Sequence, residues 1–137
     1  MVKLPFEIVD HTADWAVRVY GRSLADLFIH AAQGMASLMV ADPDAIERQE
    51  TIKIELDAYD AESLLVDWLT ELAYWAETEQ KVGRTFEVTA ISPTHLNATV
   101  HGGQADELQK HIKAVTFHNL AIIETDAGLE ATIVFDV

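Results

Sequence analysis

The chain contains no cysteine among its 137 residues. Disulfides, thiolate metal sites and cysteine nucleophiles are excluded together, and the composition fits the cytoplasm without requiring it. Basic residues are scarce: nine Lys and Arg stand against 23 Asp and Glu, for a formal net charge of −14. A surface of that sign repels a phosphate backbone, so direct binding of RNA or DNA is disfavoured, and the surplus carboxylate serves either a basic protein partner or hard cation or solubility alone. Long apolar runs are also missing. No stretch approaches the roughly 20 residues that cross a bilayer, and Met1-Val2-Lys3-Leu4-Pro5 leads into Glu7 and Asp10 instead of a signal-peptide core, so a soluble cytoplasmic protein without a membrane partner is expected. The dinucleotide-binding and P-loop signatures, GxSxG and HExxH are all absent, and motif content gives no support for an enzyme.

What is present is patterned. Half of the residues are hydrophobic, enough to bury the core of one domain over residues 1–137. Phe6 to Val9 and Trp15 to Tyr20 read as short strands around the polar stretch DHTAD at 10–14. In the second, Trp15, Val17 and Val19 alternate with Ala16, Arg18 and Tyr20, the period of a strand with one buried face. Ser23, with Asp26 three residues on, resembles a capping box ahead of LADLFIHAAQGMASLM, where Leu24, Leu27, Phe28, Ala31, Met35 and Leu38 form one stripe at helical spacing. Gly34 inside that stripe is either a point of close backbone packing or a tolerated defect. Pro43 closes the helix region, and QETIKIELDA supplies a strand with Ile52, Ile54 and Leu56 on one face. Asp60 is placed to cap a second amphipathic helix, ESLLVDWLTELAYWAE, with Leu64, Leu65, Trp68, Leu69, Leu72 and Trp75 inward. The run ETEQK at 77–81 reads as its solvated end.

Sheet content rises in the second half. TFEVTAIS and LNATVHG join across Ser92-Pro93-Thr94, and AIIET and LEATIVFDV flank Asp126-Ala127-Gly128 as a hairpin. Between them ADELQKHIKAVTFHNL is open to helix or strand. The expected product is an α+β domain, two layers deep, with two principal helices on a mostly antiparallel sheet.

The chain end carries a chemical signal. A regular strand through ATIVFDV places Thr132, Val134 and Asp136 on one face and Ile133, Phe135 and Val137 on the other. If that strand ends near residues 10–14, Asp14, Asp136 and the carboxylate of Val137 gather three oxygen donors. Such a cluster is costly without a cation, and hard oxygen ligands favour calcium, magnesium or manganese over zinc. Solvated acids that never meet are the alternative. His11 reads as a support for Asp14 or as a turn-capping imidazole, Lys113 as a counter-charge or a solvated lysine, and Glu71 as a further oxygen ligand, a partner-facing charge or an ordinary surface residue.

HTADWAVRVYGRSLADLFIHAAQGMASLM resembles the opening of the archease family; LLVDWLTELAYW, KAVTFHNL and the terminal VFDV resemble its later segments in the same order. The resemblance covers nearly the whole chain. It implies a small accessory protein that activates an RtcB-type RNA ligase in tRNA splicing or RNA repair, promoting guanylylation of the ligase and multiple turnover, with RNA and GTP engaged through the ligase. It also implies a divalent metal site at one tip, formed by Asp14, Asp136 and Val137, with calcium foremost and magnesium or manganese as alternatives. His11, Glu71 and Lys113 match family positions around that tip. A general chaperone or modulator of RNA-processing enzymes is the competing role, and a phosphohydrolase using the same carboxylates is a distant third. Departures from the family pattern are a shortened approach to Lys113, Leu129 at a frequent tryptophan position, and valine in place of the common terminal isoleucine.

Overall fold

The computed structural model describes residues 5–10 and 14–137; for Asp10 it describes the backbone alone. Strands β1 (Phe6–Asp10) and β2 (Trp15–Gly21) lead into helix α1 (Leu24–Met39) and a 3₁₀ turn at Pro43–Ala45. Strand β3 (Glu50–Asp57), helix α2 (Ala61–Glu79) and the hairpin of β4 (Lys81–Ser92) and β5 (His95–Gln104) follow. The chain closes with β6 (Ala114–Thr116), β7 (Ile123–Thr125) and β8 (Gly128–Asp136). The α+β expectation holds, and every strand pairing is antiparallel among the described residues. The strands divide into two sheets: one of order β1-β2-β8-β6, with β7 also on β8, and one of order β3-β5-β4.

Local chemistry explains the helices. The Ser23 hydroxyl accepts from the Asp26 amide at 3.2 Å, and the Asp60 carboxylate accepts from the Ser63 amide at 2.8 Å, so each helix starts on a side-chain cap. The cap bonds from Ser63 hold the Asp60 pKa below the ordinary aspartate value. Both apolar stripes point into a continuous core. Leu27, Phe28, Ala31 and Met35 of α1 are sealed from solvent there, as are Leu64, Leu65, Trp68 and Leu69 of α2, with Ile133 and Phe135 of β8 beneath.

Gly34 proves to be a contact point. A Cβ there would lie 2.8 Å from Cγ1 of Val17 and 3.2 Å from the Phe6 ring, so the bare backbone lets α1 settle onto β2 and β1. Gly34→Ala gains about 1 kcal/mol of helix propensity but overpacks a site lined by Val17, which is fully buried and stiff at χ1. Overpacking typically costs ~1–3 kcal/mol. The expected result is a net loss, seen as a lower urea midpoint at unchanged slope; a raised midpoint would show that Val17 yields freely.

Two boundaries differ from the sequence expectation. The second helix ends at Glu79, with Gln80 in the left-handed region at φ 54°, and Lys81 opens β4 instead of extending a solvated helix end. Lys81 pairs with Glu50 on β3 and with Glu79, and the bond to Glu50 holds its ammonium pKa above the ordinary value. The ambiguous segment resolves as a strap with one short strand and no helix. It starts where Gln80 bonds the Ala105 carbonyl at 2.6 Å and passes Glu77, whose carboxylate meets His111 at 2.8 Å. It then reaches Glu62, which accepts from the Ile122 amide at 3.0 Å, so it runs the length of α2 in the opposite direction.

Candidate metal-binding tip

The site is assembled by strand register. Strands β2 and β8 pair from Gly21↔Leu129 to Trp15↔Phe135, and that last pair is flanked by Asp14 on one strand and Asp136 on the other. On the far side of β8, Asp136 pairs with Ala114, and the Lys113 amide donates to the Asp136 carbonyl at 2.7 Å. Lys113 therefore lies beside the end of β8 next to Val137. The apolar face sets this register: Ile133 and Phe135 are fully buried, and a slip of one residue would turn them outward. Asp136, one step past Phe135, falls on the opposite face and is exposed, while Asp14 and Val137 are half-buried.

Four of the expected site residues, Asp14, Asp136, Val137 and Lys113, are thus carried to one end of the sheet. Glu71 lies on the exposed side of α2, the helix along which the strap bearing Lys113 runs. His11 lies outside the described residues. Among the described residues, neither the Asp14 nor the Asp136 carboxylate has a hydrogen bond or ion pair. No group of three His, Cys, Asp or Glu side chains is arranged to hold a metal among the described residues, so two aspartates would need oxygen from elsewhere, and Val137 is the adjacent source. The donor set is all oxygen and fits a hard divalent cation.

One feature of the tip has no counterpart in the sequence expectations. The Lys110 ammonium sits 4.2 Å from the centre of the Trp15 ring, a cation–π contact beside Asp14. It joins the strap to the first residue of β2 and adds a second positive charge, after Lys113, to this end of the sheet. The only sequence signal was a lysine in a segment without clear periodicity.

The model of the Archease protein family (MTH1598/TM1083) matches residues 6–137. Protein archease of Methanosarcina barkeri is 35% identical over 140 residues, spanning 96% of this chain and 95% of the relative. Protein archease of Methanopyrus kandleri is 32% identical over 142 residues, spanning 98% and 100%. Among solved structures, Methanobacterium thermoautotrophicum protein 1598 superposes with a TM-score of 0.80 at 33% identity, over 97% of this chain and 99% of that one. A Thermotoga maritima archease, described as a possible chaperone, shares the fold with a TM-score of 0.64 at 20% identity, over 100% and 98%.

Proposed function

The chain belongs to the archease family, and from that premise we propose that it is a metal-dependent accessory protein that activates an RtcB-type RNA ligase. The observation that supports this most is the placement of Asp14 and Asp136 together, each one step beyond the last β2–β8 pair, beside Val137. Asp14, Asp136 and the terminal oxygens of Val137 would hold a divalent cation, calcium first and magnesium or manganese next. Such a cation supplies Lewis-acid charge where the tip meets the nucleotide site of the ligase. The chain's own residues position that tip. The Lys113 amide holds the last strand, Lys110 holds Trp15 against the strap, and the exposed Glu71 and Lys113 side chains are available to a protein partner. RNA and GTP engage the ligase, in keeping with a net charge of −14 that repels nucleic acid. A cytoplasmic setting follows from that role.

The test combines a cognate ligase, GTP and divalent metal with wild type, Asp14→Ala or Asp136→Ala protein, and reads guanylylated ligase and ligation turnovers. Wild type is expected to stimulate both, and each folded variant to fall to the unstimulated level. The alternative is a general protein chaperone or modulator of RNA-processing enzymes; the Thermotoga maritima archease is described as a possible chaperone. Under that role the two variants stimulate as wild type does, and aggregation of unrelated RNA-processing enzymes is suppressed equally by all three.

A further inference from the structure

A second built feature lies away from the tip, in the stretch Gly83-Arg84-Thr85-Phe86. Gly83 pairs with Gly102 and Thr85 with His101, so Arg84 is the extra residue of a β-bulge. Bulges re-aim side chains and recur beside functional sites. The Thr85 hydroxyl, buried with no hydrogen-bond partner among the described residues, does not line the cleft that its neighbours Gly83, Arg84 and Phe86 line. Arg84 is turned into a cleft of about 320 Å³ between the edge strands of the two sheets, β1 and β4, over α1. Its guanidinium uses one N–H on the Ile46 carbonyl at 3.3 Å, and among the described residues it has no carboxylate within ion-pair distance. In a chain with a net charge of −14, a half-buried arginine without an acidic partner is a conspicuous exception.

The remaining walls define what would fit. Phe6 and Phe86 give two aromatic walls. Phe86 is held by an edge-to-face contact with Trp68, with ring centres 6.1 Å apart, and by Gly83, where a Cβ would come within 2.6 Å of the ring. Gln33, Ser37 and Asp44 add polar groups, and the Asp44 carboxylate has no partner among the described residues. The volume is at the lower end of ligand pockets, which run from roughly 300 to 1,000 Å³ and exclude dinucleotides at that end. The Arg84 guanidinium and the Asp44 carboxylate sum to zero charge, so a ligand monoanion leaves the cleft at −1 and a phosphate dianion leaves it at −2, the costlier of the two. The guanidinium fork also matches a carboxylate in bidentate fashion.

We propose that the cleft between β1 and β4 is a binding site for a small aryl carboxylate carrying a hydrogen-bond donor at its far end, with Arg84 on the carboxylate, Phe6 and Phe86 along the ring, and Asp44 on the donor. The site is separate from the metal tip: Phe6 and Asp10 are opposite ends of β1, about 13 Å apart by strand rise. It therefore needs no divalent metal.

The experiment is a titration of the full chain with 4-hydroxybenzoate, without divalent metal, followed by amide chemical shifts. Saturable shifts confined to Phe6, Gln33–Ser37, Asp44 and Gly83–Phe86 are expected. Affinity should fall at least tenfold in Arg84→Gln, and equally in Ser37→Leu, which fills the cleft while leaving Arg84 in place. Inorganic phosphate at the same concentrations is expected to give no saturable shift. No saturation in wild type, saturable shifts mapping elsewhere, wild-type affinity in a folded Ser37→Leu variant, or equal binding of phosphate would each overturn the assignment. Ser37→Leu decides the question if Arg84→Gln loses its fold along with the Ile46 bond.

Discussion

Trp68→Ala is expected to destabilise the protein by about 4 kcal/mol, within the ~3–5 kcal/mol seen when a buried Trp or Phe is cut to Ala. Trp68 is fully buried, the largest side chain so enclosed, and it joins three elements at once. From α2 its indole N–H donates to the Phe28 carbonyl of α1 at 2.9 Å, and its ring meets Phe86 of β4 edge to face at 79°. Truncation leaves a cavity bounded by both helices and a strand, none of which can move inward alone. Loss of the hydrogen bond adds little, because the Phe28 carbonyl lies inside α1 and keeps its helical partner. Trp68→Phe separates the two contributions: it keeps most of the ring volume and should cost about 1–2 kcal/mol. Against a total stability of ~5–15 kcal/mol the alanine variant loses a large share. Urea unfolding followed by far-UV circular dichroism measures it. A loss below about 2 kcal/mol would show that the interface collapses to fill the space.

The helices were legible because their signals are local. The stripes of α1 and α2 repeat at 3.6 residues, and Ser23 and Asp60 stand at their starts as capping residues. The junction of α2 with β4 was not legible. Gln80 takes the left-handed conformation that glycine or asparagine usually marks, so ETEQK carried no stop signal, and Lys81 gains its place through Glu50 on another strand. The strap was ambiguous for a related reason. Its fixed points are Glu77 for His111, Glu62 for Ile122 and Met39 for Gln109, all distant in sequence, and they impose no period on its own residues. The division of the strands into two sheets depends on such pairings as well, with β8 inserted between β2 and β6.

The candidate tip was half legible. Asp136 stood out as an acid ending an apolar strand, and its approach to Asp14 was conditional on a register that the buried Ile133 and Phe135 then impose. Lys110 was invisible because cation–π contacts follow from the path of the strap, which no local pattern encodes. Arg84 was invisible for a different reason: a bulge changes the direction of one side chain without changing composition.

Asp14→Asn and Asp136→Asn are expected to separate metal binding from folding by sign. With metal absent, either substitution removes a negative charge from an acidic end and should leave the stability equal or slightly raised, by less than about 1 kcal/mol, and the melting temperature with it, since Lys110 already offsets part of the repulsion. With calcium at 100-fold above its dissociation constant, wild type should gain about 2.7 kcal/mol. For a chain of this length that is roughly 5–15 °C, and each variant should gain little or nothing. The same variants should then fail to raise ligase guanylylation and turnover. A merely destabilising substitution would lower the metal-free melting temperature and keep the calcium-induced rise, so the two causes give opposite patterns. A wild-type melting temperature unmoved by calcium, magnesium and manganese would sink the metal site. A calcium response lost in both variants with ligase stimulation intact would detach the cation from the activation of the ligase, leaving the tip as a structural site whose contact with the partner depends on shape alone.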